Sequence, residues 1–575
     1  MNNQRIAARR ATCGWAVAAA LCLLAASLLP VHSAAQAPQS AAPQSNAAPN
    51  DKQTRITPEQ AQKLFALVDE ILQFSSQETG LPIKSKVKRQ LTTRAAVEAY
   101  LEKKFNEDQS ARRMQRDEIV LKKFGLLDHD FALKPFLLSL LKEQIEAYYD
   151  SKTKTVNLLD WVQPDEQKPV LAHELTHALQ DQHANLEKWD DQTPDDVSLT
   201  ASGDADHLAR DEMDTARDAV AEGQATAAMM DYILKPMGKS LIKDPEVLDI
   251  IKEHMTGGAD SPVMARAPLL LSESMLFPYR EGLSFEQDIW MDQGQKAAFA
   301  GALDRPPTSS WEIMNPRYYE QHLTPAIPFL PNIHPLVNRL YRPYDIGQVG
   351  QLDLKILTQL FGGEDTSNEL TLAWDGGLYW AGQLRSATPA QQAGTGSLAI
   401  FYLSEWKSAA SAQAFARLYA SSLGRKYTSV NEDEAAEAAA PTQDGSMEQV
   451  FATNEGPVVI TTRNKMVFVS ESFALPLARK LTQLILDAQG TGELRMTRLT
   501  PQRPQLLAPS AGVVSGGALN SDEALNSDEA LKPVSMQPLS ANLVQFFSHC
   551  GVLKAVVDAG MQAEGASRVR QAIMR

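Results

Sequence analysis

The sequence predicts an α+β protein, with a mainly helical domain edged by a small sheet and then a smaller α+β domain. Apolar residues recur at three- and four-residue spacing through most of residues 57–340, the period of amphipathic helices. From about residue 368 that period gives way to short runs rich in Val, Ile, Phe, Tyr and Trp, which read as strands. A chain of 575 residues also exceeds what one core normally serves, so a division is expected, with domains over 54–345 and 346–490.

The first 35 residues read as a secretory signal peptide. Arg5, Arg9 and Arg10 precede an apolar run from Gly14 to Leu29, and Ser33, Ala34 and Ala35 follow as small residues suited to cleavage before Gln36. The run is short for a membrane span. Export is therefore expected, to the periplasm or beyond. Loss of the three arginines would take the net charge from −15 to −18, which argues against nucleic acid or anionic membrane as a partner. Cys13 and Cys22 would leave with the signal, so Cys550 would have no internal disulfide partner. Residues 36–53, rich in Ala, Pro, Gln and Ser, read as a disordered linker.

Order is expected from Thr57, which can cap a helix starting at Pro58 and carrying Leu64, Leu67, Val68, Ile71 and Leu72 on one stripe. A strand over 81–92, helices near 94–105, 108–124 and 132–143, and two short strands around the Asp150–Thr153 turn come next. A further helix is expected to start after Pro169. "ELTLAWDGGLYWAGQ" and "GSLAIFYLSEW" open a unit of ββαβββα order, which carries no cluster of His, Cys or paired acids and reads as binding or structural. Residues 491–575, with the repeat "LNSDEALNSDEA", read as a mostly disordered tail with a short helix near 541–557.

The chemistry concentrates in "LAHELTHALQDQH" (171–183). His173 and His177 lie four apart, so on a helix they face one way and can grip a single Zn²⁺. Glu174, on the adjacent flank, is placed to take a proton from a water that the ion activates. Catalytic zinc normally has three protein ligands, so a third is needed. His183 has the spacing of the pattern His-Glu-x-x-His-x-x-Gly-x-x-His, but that pattern needs glycine where this chain has Gln180. If the helix runs on, His183 sits about 9 Å beyond His177 along the axis and turned off its face. Glu222 is the stronger candidate. It lies in a helical stretch, 211–234, among Ala219, Ala221, Gly223 and Ala225, small neighbours that permit close helix approach. The blander alternative is a solvated helix glutamate.

"VLAHELTHALQDQH" followed by "AVAEGQAT" resembles the gluzincin group of zincin metallopeptidases. More closely it resembles a set of exported bacterial and archaeal proteins with a "HELTHALQDQ" helix and a later glutamate helix. "LFPYREGLSF" (276–285), "RPPTSSWEIMNPRYY" (305–319) and "AWDGGLYWAG" (373–382) occur in the same order as in that set, so the resemblance spans about 140–475. It implies a zincin-like fold, with His173, His177 and Glu222 as zinc ligands and Glu174 as base. Gln224 departs from the Asp often found there, Thr226 stands where an acid often follows, and Asp218 is a weak substitute. Tyr279, in "FPYREG", is preferred over Arg280 and His254 as donor to an oxyanion. The expected activity is zinc-dependent hydrolysis of peptide or protein substrates, and the competing reading is a zincin-fold binding protein without turnover. No second run is long enough to span a membrane.

Overall fold

The computed structural model describes residues 55–489 except 107, 145–146, 190–191, 193–196, 255–261 and 441–444. The expected signal peptide, linker and tail, with all three cysteines, lie outside the described residues.

The first half of the chain runs α1 (Pro58–Thr79), β1 (Lys88–Thr92), α2 (Arg94–Asn106), α3 (Asp108–Phe124), α4 (Leu133–Gln144), β2 (Ala147–Asp150) and β3 (Thr155–Leu159). It continues through α5 (Pro164–Ala184), α6 (Leu186–Trp189), α7 (Ala201–Arg210), α8 (Met213–Leu234), α9 (Glu246–His254) and α10 (Leu269–Gln293). α1 starts as its residues dictate: Thr57 Oγ accepts from the Gln60 amide, Gln60 Oε1 accepts from the Thr57 amide, and Pro58 fills the first turn. β1 is shorter than the 81–92 expectation. It pairs parallel with β3, and β2 pairs antiparallel on the other side of β3, leaving β2 at an edge.

α5 begins at Pro164, not after Pro169, which lies inside it. The buried Gln167 explains the early start. Its side chain accepts from the Leu159 amide and donates to the carbonyls of Leu159 and Val162, folding the connection from β3 back onto the first turn. The helix then carries Val170, Leu171, Leu175, Ala178 and Leu179 into the core at essentially zero exposure. The Ser75 hydroxyl of α1 donates to the Ala172 carbonyl of α5.

Four short helices follow, α11 (Ala302–Asp304), α12 (Ser310–Met314), α13 (Pro316–Glu320) and α14 (His334–Val337). Then come β4 (Tyr341–Gln348), α15 (Gln351–Ala373), β5 (Trp374–Leu384), α16 (Pro389–Gln392), β6 (Leu398–Trp406), α17 (Ala409–Lys426), β7 (Val430–Glu432), α18 (Glu434–Ala438), β8 (Ser446–Thr453), β9 (Gly456–Arg463), β10 (Met466–Glu471) and α19 (Leu475–Ala488). Their strands form one antiparallel sheet of order β4-β5-β6-β10-β9-β8-β7. The expected ββαβββα order holds for its larger elements. "ELTLA", however, completes α15 instead of starting a strand, and β4 adds a strand ahead of β5.

The fold class is α+β, and the sheet joins its parts. Along β6, Leu398, Ile400 and Tyr402 point into the same core as α5, α8 and α10, while Ala399, Phe401 and Leu403 pack with Ile485 of α19 on the other face. The described chain forms one compact unit. The division expected near residue 345 falls inside β4, and one hydrophobic core continues across it.

Candidate metal centre

α5 brings His173 and His177 onto one face, and α8 sets Glu222 opposite them. His173 Nε2 lies 3.0 Å from Glu222 Oε2, His177 Nε2 lies 3.5 Å from Glu222 Oε1, and the two Nε2 atoms are 3.0 Å apart. Among the described residues this is the group of three whose donor atoms all fall within 4.8 Å of one another. Two atoms each 2.0–2.1 Å from a common ion at a tetrahedral angle stand about 3.3 Å apart, so the spacing suits ligands of one zinc. The His177, Glu222 and His173 side chains are 11%, 1% and 2% exposed.

The electrostatics favour positive charge at this point. Burial pushes the Glu222 carboxyl up, but the charge of His177 and the hydrogen bonds from both imidazoles outweigh it and hold the group down at about 2. Burial pushes His177 down, and Glu222 overcomes this and raises it to about 9. A proton and a cation would compete for the same imidazole and carboxylate lone pairs here.

Glu174 points to the neighbouring flank. Its Oε2 accepts from the Tyr149 amide at 2.7 Å on the edge strand β2. Burial raises the Glu174 carboxyl, against the lowering pull of His173 and His177. One heptad along α5, Asp181 accepts from the Tyr149 hydroxyl at 2.8 Å and pairs with Lys154 at 2.6 Å. The β2–β3 hairpin is thereby tied to α5 at two points.

His183 takes no part in the cluster. α5 continues unbroken through Gln180 to Ala184, and His183 Nε2 pairs with Asp304 at 2.9 Å near the surface. Tyr279 does reach the site: its buried ring stacks alongside His173, with centroids 6.2 Å apart and planes 24° apart. Asp218 and Thr226 are buried one turn to either side of Glu222. The Arg280 guanidinium is engaged by Glu273 and Glu281 and pairs away from the cluster.

The small neighbours of Glu222 serve an approach to α10. A Cβ on Gly223 would meet the Gly282 carbonyl oxygen at 2.3 Å, and a Cβ on Gly282 would meet the Ala219 carbonyl oxygen at 2.1 Å. The two backbones touch there, three residues beyond Tyr279.

Reading the sequence missed the Tyr149 amide, since a backbone donor on an edge strand leaves no side-chain signal. It also passed over Gln180, whose place three residues after His177 on the same helical face was a signal. No family model, curated protein or solved structure matches the chain.

Proposed function

We propose that the protein is an exported zinc-dependent metallopeptidase of zincin-like, gluzincin-like type, acting on peptide or protein substrates. The observation that carries the reading is the convergence of His173, His177 and Glu222 from two helices onto one point. Two imidazoles and a carboxylate match the donor set of catalytic zinc and leave a fourth position open. A bound zinc ion would supply Lewis acidity and a nucleophilic water at neutral pH.

The chain's own residues do the rest. Glu174 holds a carboxylate beside the ligands without being one of them, and its raised affinity for protons suits a group that accepts one from an attacking water and passes it to the leaving amine. The Tyr149 amide anchors one of its oxygens and fixes its direction. Tyr279, packed on His173, is the donor assigned to the developing oxyanion. The burial of the ligands favours one competing reading, a binding protein that holds metal without turnover.

Metal analysis of the purified protein, followed by digestion of a broad peptide library, tests both. Wild type should hold about one zinc and cleave, whereas Glu174→Gln should keep the zinc and lose cleavage, because it removes a base and not a ligand. Zinc without cleavage in wild type would favour the binding protein. Absence of zinc would overturn both.

A further inference from the structure

Gln180 stands where the His-Glu-x-x-His-x-x-Gly-x-x-His pattern needs glycine, and the proposed chemistry makes no use of it. In the fold it starts a chain of buried amides. His177 Nδ1 lies 2.8 Å from Gln180 Oε1. Gln180 Nε2 lies 2.9 Å from both the Ala221 carbonyl oxygen and Gln224 Oε1. Gln224 Nε2 lies 2.9 Å from the Ala298 carbonyl oxygen and 3.0 Å from that of Phe299. Gln180 and Gln224 are fully buried.

Only one arrangement of hydrogens satisfies this chain. Peptide carbonyls accept and never donate, so the group that Gln224 turns toward Ala298 and Phe299 must be its NH₂. Its oxygen therefore faces Gln180. Gln180 then confronts two acceptors, Ala221 O and Gln224 Oε1, and must meet them with its own NH₂. Its oxygen is left toward His177, so His177 Nδ1 carries a hydrogen. A neutral imidazole protonated at Nδ1 keeps its lone pair on Nε2, the atom that faces His173 and Glu222.

We propose that Gln180 and Gln224 are positioning residues that set the tautomer and ring orientation of His177, with the Ala298 and Phe299 carbonyls as the fixed end of the relay. Those carbonyls belong to the π-helical turn Ala297–Gly301, a form found mostly as single turns and often at functional sites. The direction of the relay follows from hydrogen bonding alone. The use made of the freed Nε2 rests on the proposed metal centre.

The test uses the full chain with ¹⁵N-labelled histidine, observed by long-range ¹H–¹⁵N correlation, together with zinc affinity by competition. Wild type should show a slowly exchanging His177 Nδ1–H, both metal-free and zinc-loaded. Gln180→Leu and Gln224→Leu should speed its exchange and weaken zinc binding about ten- to a hundred-fold. Gln224→Leu is the sharper probe, because Gln224 touches neither histidine. Gln180→Glu keeps an acceptor for Nδ1–H but turns a second oxygen on the Ala221 carbonyl and Gln224 Oε1, so it should retain the Nδ1–H signal only at a cost in folding stability. Hydrogen on Nε2 with bare Nδ1 in wild type would overturn the relay, and so would leucine variants with unchanged signal and affinity. If those variants fail to fold, the wild-type spectrum alone decides the direction. A wild type that shows the Nδ1–H but binds no zinc would sink the metal reading and leave the relay standing.

Discussion

Glu222→Ala should lose bound metal as severely as His177→Ala, while His183→Ala should leave metal content nearly unchanged. Elemental analysis of the three purified variants checks this, and full zinc in Glu222→Ala would overturn the ligand assignment. The reason is reach: His183 is occupied by Asp304 at the surface, whereas both Glu222 oxygens face imidazole nitrogens. Glu212 supports a separate prediction. Burial raises its carboxyl to about 8, with the charge of Asp353 adding to this and the Ser310 hydroxyl and amide opposing it. The folded state thus holds a proton that the unfolded chain, near 4.5, gives up more readily. The stability this group contributes is fully present below about pH 4.5 and is lost as pH rises through about 8, on the order of a few kcal/mol. In Glu212→Gln the amide oxygen can still accept from Ser310, and its NH₂ can face Asp353. The unfolding midpoint of that variant should fall less than that of wild type between pH 5 and 8, and parallel curves would show that Glu212 is ionised in the fold.

Between elements, the contact that positions the site is the crossing of α8 and α10. In an open helix, Gly→Ala gains about 1 kcal/mol in propensity. At Gly282 the added methyl would meet the Ala219 carbonyl oxygen at 2.1 Å, and a backbone atom cannot swing aside as a flexible side chain would. Overpacking of this kind costs about 1–3 kcal/mol or more, so the clash wins over the propensity. Gly282→Ala should lower the midpoint of denaturant unfolding. Because Glu222 and Tyr279 lie within one turn of the crossing, it should also weaken zinc binding in whatever fraction folds. Unchanged stability would mean that the two helices can separate freely. The hairpin gives the second link between elements, since Tyr149 meets Glu174 by its amide and Asp181 by its hydroxyl.

For the molecule as a whole, the sheet and the helical part share a core, and this governs what truncation should do. A chain ended after Leu340 would strip Gln348, whose amide donates to Asp211, and Asp353, which adjoins Glu212 at the start of α8. It would also expose the face of α3 that packs on β6, where the Phe124 ring meets Tyr402, and the face of α10 that packs on α15. Such a fragment should be insoluble, or lack a cooperative thermal transition, and its zinc content should fall with its folding. A fragment that melts cooperatively and binds zinc would restore two separate domains. Among the described residues no helix is long and apolar enough to cross a membrane.

By itself the sequence determined what is local. Thr57 with Pro58 marked the start of α1, the four-residue spacing of His173 and His177 put both rings on one face, and the change of apolar period announced the second sheet. Caps, helical faces and strand alternation depend on residues within a turn or two, so they can be read along the chain. It also nominated Glu222 and Tyr279, though not what surrounds them. Only the tertiary structure decided which distant groups meet. Glu222 reaches His173 across 49 positions, Gly223 rests on Gly282, and the carbonyls of Ala298 and Phe299 orient Gln224, some 75 residues earlier. The same is true of the shared core, which runs through β4 where composition suggested a boundary. Such meetings are set by packing and by the pairing of buried polar groups, and sequence spacing carries no record of either.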